Sequence, residues 1–93
     1  MRIKILGKYW NLVRNYTGPK YDGHCDSPDY PNKTICVHKA LRGERELEIL
    51  IHEIMHAADW TKDEEWVKDL SEDLARILWR LNYRRIKTEQ KTD

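Results

Sequence analysis

Polar and hydrophobic residues alternate near the start of the chain with the two-residue period of a β-strand. Residues 2–6 alternate basic and apolar side chains, and residues 9–14 form a second segment of strand-like composition. The Gly7-Lys8 pair between them is typical of a tight turn. We therefore predict a β-hairpin at the beginning of the chain.

The regular pattern stops over residues 17–33, which contain two glycines and all three prolines of the chain. We predict a long loop here, and loops of this length in compact domains are usually functional or mobile. Residues 34–38 are rich in β-branched side chains and predict a third strand. We place this strand at an edge of the sheet near a cleft, where an extended peptide could add to it.

Helical periodicity begins after this strand. A first helix is predicted from about Glu44 to Ala58, and it is followed by a break at Trp60-Thr61. Its core-facing residues recur at steps of three and four, and they are Leu47, Leu50, Ile51, Ile54 and Ala58.

A second helix is predicted to start near Lys62 and to run to about Arg84. Its start is indicated by Thr61-x-x-Glu64, which fits a capping box. Its apolar residues keep the helical period and are Trp66, Leu70, Leu74, Ile77, Leu78 and Leu81. Residues 87–93 are polar, and we expect them to be a frayed tail.

These elements predict one α+β domain spanning residues 1–93. It would hold a small antiparallel sheet of about three strands packed on an antiparallel pair of helices. A chain of 93 residues, 40% hydrophobic and 35% charged, can form a real but thin core. The chain shows no signal peptide or transmembrane run, and two cysteines make no disulfide framework, so we expect a cytoplasmic protein.

Charge is unevenly distributed although the net charge is only +1. From Glu44 to Asp73 the chain has eleven acidic residues and three basic ones. A negative local potential suits a bound cation, although a solvated acidic helix pair explains the same pattern. We do not expect nucleic acid or membrane partners, because the sequence pI is about 7.8 and no DNA-binding motif is present.

The motif His52-Glu53-Ile54-Met55-His56 lies within the first predicted helix. Two histidines four residues apart lie on one helix face, so both can reach one zinc ion. Glu53 is placed to act as the general base of a hydrolase that activates water on a metal. The remaining possibilities are a zinc site without catalysis and two ordinary helix histidines.

A third protein ligand is expected from the second helix, which must fold back antiparallel to the first. We assign Glu64 to the capping box and to an ion pair with Lys68, which leaves Glu65 as the best-placed carboxylate. The other candidates are Asp59, Asp69 and Glu72, although Glu72 has Arg76 one turn away as a partner.

Asp69 has no basic partner on its own helix. We predict that it accepts a hydrogen bond from a metal-bound imidazole, that of His52 in particular. Asp59, three residues after His56, could also hydrogen-bond a ligand or end the helix.

The His52-Glu53-x-x-His56 motif followed by Glu65-x-x-x-Asp69 resembles the glutamate-zincin metallopeptidases. The order of elements is also similar to small phage and bacterial zincins, including the immunity-repressor peptidase type. The resemblance implies one zinc ion bound by His52, His56 and Glu65, with Glu53 as the base and Asp69 supporting a ligand. The chain departs from the family in the short spacing between His56 and Glu65.

We therefore expect a zinc-dependent metallopeptidase that hydrolyses peptide bonds of a peptide or protein substrate. The oxyanion of the reaction could be stabilised by His38, or by Tyr16, Tyr21 or Tyr30, and the sequence does not choose among them. The alternative is a non-enzymatic, zinc-stabilised interaction module on a zincin scaffold. The sequence leaves the substrate, the cleavage preference and the oligomeric state open.

Overall fold

A computed structural model describes residues 1–85 and shows a four-stranded sheet packed against two helices. The α+β fold class predicted from the sequence is confirmed, with one more strand than expected. The predicted frayed tail lies outside the described residues. The elements in chain order are β1 (Arg2–Ile5), β2 (Lys8–Asn15), β3 (Gly23–Cys25), β4 (Thr34–His38), α1 (Gly43–Ala58) and α2 (Glu64–Arg80).

The predicted hairpin is present as β1 and β2, which pair antiparallel with Ile5 opposite Lys8. Leu6 and Gly7 form the turn, both with positive φ, at 48° and 83°. Two left-handed residues in a two-residue loop match the twist of the paired strands. The turn therefore lies one residue before the predicted Gly7-Lys8.

The sheet has the strand order β1-β2-β4-β3, and it is mixed because β4 runs parallel to β2 and antiparallel to β3. The predictions of a wholly antiparallel sheet and of residues 34–38 at its edge are therefore wrong. Ile35 and Val37 in β4 are both buried, as befits an interior strand. β-Branched composition favours a strand but does not say where in the sheet the strand lies.

The predicted long loop contains the edge strand β3, which has only the three residues Gly-His-Cys. So short a strand shows no detectable period in sequence. It pairs with β4 through Cys25 opposite Ile35, and its flanks are held by two further backbone bonds. The Asp26 N–H donates to the Thr34 carbonyl at 3.0 Å, and the His38 N–H donates to the Asp22 carbonyl at 2.8 Å.

The helix α1 lies within one residue of its predicted bounds, but α2 starts later than predicted. Asp63 is the N-cap, and its carboxylate accepts from the Trp66 N–H at 3.0 Å. The hydroxyl of Thr61 donates to Asp59 instead, so the predicted capping box is not formed. The consequence is that Glu64 is not used in capping.

The end of α2 is set by a Schellman motif at Asn82, whose φ is 69°. The Tyr83 N–H donates to the Leu78 carbonyl and the Asn82 N–H to the Trp79 carbonyl. The helix therefore ends at Arg80, four residues before the predicted Arg84.

The core lies between the sheet and α1, where Trp10, Cys25 and Ile35 pack with Ile54 and Ala57. None of the helices in the described part of the chain is long and apolar enough to span a membrane.

The buried face of α2 consists of Val67, Ser71 and Ala75, which are fully inaccessible and one helical turn apart. The buried face predicted for α2, which begins at Trp66, is displaced by one position along the sequence. Trp66 and Ile77 from that predicted face are about half exposed. Small residues let two helices approach closely, so the buried face need not be the one with the largest side chains. One position corresponds to about 100° of rotation about the helix axis.

Candidate metal centre

The last two turns of α1 and the first residue of α2 bring together three side chains that could bind a metal ion. The Nε2 atoms of His52 and His56 are 3.2 Å apart, and each lies next to one oxygen of Glu64. His52 Nε2 is 3.0 Å from Oε2, and His56 Nε2 is 2.7 Å from Oε1. In the described part of the chain, these three residues are the one group of three or more His, Cys, Asp or Glu side chains with the spacing of a metal site.

The backbone explains why Glu64 is the acidic residue that reaches the histidines. Residues 59–63 reverse the chain, and α2 begins at Glu64 directly beside the end of α1. Glu64 is three residues before Val67 and so lies on the side of α2 that faces α1, at the exposed end of the helix. Its side chain remains largely exposed, with a relative accessibility of 69%, while those of the two histidines are at 13% and 16%.

The donor set and its spacing fit a zinc ion. Two imidazole nitrogens and one carboxylate oxygen are the protein ligands of many catalytic zinc sites, which keep a fourth position open. Metal–ligand bonds of about 2.0–2.1 Å in a tetrahedron place neighbouring ligand atoms roughly 3.3–3.4 Å apart. The distances of 2.7–3.2 Å seen here need only a small expansion to reach that geometry.

Glu53 is buried beside this group, with 8% of its surface exposed. Burial and the nearby Glu64 carboxylate raise the pKa of Glu53 to about 7. Glu53, His56 and Glu64 line one cleft, which has a volume of about 380 Å³. A carboxyl group with so raised a pKa, next to a candidate set of metal ligands, is suited to accept and return a proton.

The cleft is also lined by Cys25, Trp60 and Lys62. Burial raises the pKa of the Cys25 thiol to about 12. In the metal-free protein the thiol therefore stays protonated near neutral pH.

His52 is held between Glu64 and a residue that sequence analysis missed. The hydroxyl of Ser71 is 3.5 Å from the His52 Nδ1, on the side of the ring opposite Glu64. Burial lowers the pKa of His52, which favours the neutral imidazole that binds metals. The sequence feature that could have indicated Ser71 is a single serine at helical spacing between the apolar residues Val67 and Ala75.

The structure does not bring the predicted third ligand, Glu65, into the ligand group. Glu65 is exposed and lies about 100° around the helix from Glu64. The ion pair predicted between Glu64 and Lys68 is not formed, because Lys68 pairs with Glu72 at 3.0 Å. Glu64 is therefore available to the histidines. Arg76, the predicted partner of Glu72, binds Asp73 instead.

The predicted supporting carboxylates also lie elsewhere. Asp69 is exposed, and Ser71 occupies the place beside His52 that was predicted for it. Asp59 is fully exposed and accepts bonds from both the backbone and the hydroxyl of Thr61. These bonds lower the pKa of Asp59 and fix it in the turn between the helices.

His38 faces away from the cleft because it alternates with Val37, which is buried on the α1 side of the sheet. Its Nδ1 accepts from the Ala40 N–H at 3.0 Å, and its ring packs edge-on against Tyr16 at 5.3 Å. Tyr16 and Tyr21 line a separate hollow with His24 and Cys36, and Tyr30 is exposed. The oxyanion role predicted for His38 is therefore not compatible with its position.

Comparisons of the chain with protein-family models, with curated proteins and with solved structures found no match.

Proposed function

We propose that this protein is a zinc-dependent metallopeptidase that holds one Zn²⁺ with His52, His56 and Glu64. The observation that carries the proposal is the convergence of these three side chains on one point, within a cleft that Glu53 also lines. The ligand set is the one expected from the motif, with Glu64 in place of Glu65. A cytoplasmic location remains a prediction.

Glu53 is the proposed general base. When bound, Zn²⁺ would polarise the substrate carbonyl and lower the pKa of a water in its open position to about 7. Glu53 would take a proton from that water and return it to the leaving amine. In the metal-free centre burial and Glu64 raise the pKa of Glu53 to about 7, and a buried carboxylate at this position can accept a proton and later return it.

The free edge of β3 is the proposed docking strand for the substrate. Asp22 and Asp26 use their backbone groups to bind β4, so by alternation the N–H and C=O of Gly23 and Cys25 point away from β4. Gly23 also packs against the Glu53 side chain. A peptide that adds to this edge would therefore lie beside the proposed base, which gives β3 the role predicted for residues 34–38.

The test combines zinc content and peptide cleavage in three variants. Glu64→Ala should lose zinc, whereas the neighbouring Glu65→Ala should bind zinc like the wild type. Glu53→Gln should keep zinc, because it removes no ligand, and should lower cleavage by at least about 100-fold. Elemental analysis of dialysed protein and cleavage of a peptide library provide the two measurements.

Each alternative gives a different result in this experiment. A non-enzymatic zinc module would show zinc loss in Glu64→Ala but no cleavage by the wild-type protein. Wild-type protein without zinc, or zinc loss in Glu65→Ala but not in Glu64→Ala, would contradict the proposed metal centre.

A further inference from the structure

The described part of the chain buries two polar side chains, Glu53 and Ser71. The proposed reaction uses Glu53, but it leaves Ser71 without a role. Ser71 is fully inaccessible, in the interface between α1 and α2. A buried hydroxyl costs free energy unless it is hydrogen-bonded, so its partners are informative.

The Ser71 hydroxyl has two neighbours. It donates to the Lys68 carbonyl at 3.0 Å, one turn earlier in the same helix. With its single proton used there, the oxygen can only accept a second hydrogen bond. The group in position to give one is Nδ1 of His52, at 3.5 Å.

We propose that Ser71 is a positioning residue for the metal centre, which accepts a hydrogen bond from the Nδ1–H of His52 and so presents Nε2 to the ion. The inference rests on the proposed function, since it gives His52 the role of a zinc ligand. A neutral imidazole carries one proton, so a proton on Nδ1 leaves the lone pair of Nε2 free. Metal-binding histidines almost always donate their other N–H to an acceptor of this kind.

Helix packing alone does not account for the hydroxyl. Val67 and Ala75 lie one turn to either side of Ser71 on the same buried face, and both are apolar. An alanine would fill the position with nearly the same volume. The distance of 3.5 Å is at the long end for a hydrogen bond, and a shift of about half an ångström would bring it into the usual range.

The test compares Ser71→Ala with Ala75→Gly as a matched control. Both variants truncate a small side chain on the same face of α2, but only Ser71→Ala removes the acceptor for His52. We expect Ser71→Ala to weaken zinc binding by about 10- to 100-fold and Ala75→Gly to change it less than about threefold. Competition with a chromophoric chelator measures the zinc affinity, and circular dichroism checks that both variants fold.

A second measurement does not depend on peptide cleavage. In the zinc-loaded protein, NMR should detect the His52 Nδ1–H, and this proton should exchange with water faster in Ser71→Ala than in the wild type. Equal zinc affinity and equal exchange in Ser71→Ala and wild type would overturn the role of Ser71 while leaving the metal centre intact. Equal weakening by Ala75→Gly would also overturn it. Wild-type protein that binds no zinc would instead overturn the proposed function.

Discussion

At the scale of single residues, the position of Glu53 depends on the absence of a side chain opposite it. A Cβ atom built on Gly23 would lie 2.8 Å from Glu53 Oε2 and 2.7 Å from Ile49 Cγ2. Both distances are shorter than real Cβ contacts. Glycine in β3 therefore lets the sheet edge and α1 come together around the proposed base.

We predict that Gly23→Ala lowers cleavage by about tenfold or more and leaves zinc affinity nearly unchanged. The added methyl group would displace the Glu53 carboxylate, and a misplacement of about 1 Å can cost on the order of 100-fold in rate. The three atoms nearest to the added Cβ belong to Ile49 and Glu53 rather than to a proposed zinc ligand, so the ligand geometry should persist. Steady-state cleavage and chelator competition measure the two effects.

The control for this prediction is His24→Ala in the same strand. His24 is exposed and points to the opposite face of the sheet, so its truncation tests the strand without adding bulk near Glu53. Because the charge of His24 lowers the pKa of Glu53, the reference rate is that of the wild type, and cleavage by Gly23→Ala at the wild-type rate would show that the contact with Glu53 does not matter.

The sequence predicts some of these residues better than others, because of how far apart they lie along the chain. His52, Glu53 and His56 lie on one helix, whose geometry fixes their relation without reference to the rest of the fold. To predict Glu64 as the third ligand, one must know which residue caps α2 and how α2 is rotated about its own axis. An error of one position in that rotation favours Glu65 and hides Ser71.

At the scale of secondary structure elements, the fold places the shortest strand next to the candidate site. β3 is an edge of the sheet, and β4 is enclosed between β2 and β3. The sequence predicts both helices and the hairpin well, because each has a local period or turn signal. Strand order depends on contacts between distant segments, which no local pattern records.

If β3 is the docking strand, substrates should be sensitive to loss of backbone N–H groups. We predict that a well-cleaved library peptide loses at least about tenfold in kcat/KM when it is N-methylated at one of the two alternate residues whose N–H faces β3. Methylation at the intervening residue should have a smaller effect, since strand pairing uses every second residue on each side.

The expected signature is therefore an alternation of strong and weak effects along the peptide. Steady-state cleavage of a series with one methylated residue per peptide measures it. A uniform effect at all positions, or none, would show that substrates do not pair with β3.

At the scale of the whole molecule, the proposed metal would join the two helices that carry most of the acidic residues. Eleven acidic and three basic residues lie from Glu44 to Asp73, a segment that covers α1, the turn and the first half of α2. Within the metal-free centre, Glu53 and Glu64 are close enough for Glu64 to raise the pKa of Glu53. The folded protein can relieve this repulsion by binding a cation or by binding protons.

Without a bound cation, protonation of Glu53 relieves the repulsion, and the stability of the metal-free protein should therefore depend on pH. The pKa of Glu53 is about 7 in the folded state, against an ordinary value of 4.5. Between these values the folded state binds more protons than the unfolded state, so the contribution of Glu53 to stability falls as the pH rises. The loss is on the order of 2–3 kcal/mol across this window.

His52 acts in the opposite direction, because burial lowers its pKa below the ordinary value of 6.5 and its contribution to stability grows as the pH rises. The comparison with Glu53→Gln separates the two effects, since glutamine does not titrate and His52 is present in both proteins. We predict that the difference in unfolding free energy between wild type and Glu53→Gln shifts in favour of the variant by on the order of 2–3 kcal/mol from pH 4.5 to pH 8. Urea unfolding in the presence of a chelator measures it, and parallel pH profiles for the two proteins would show that Glu53 is ionised in the folded state at its ordinary pKa.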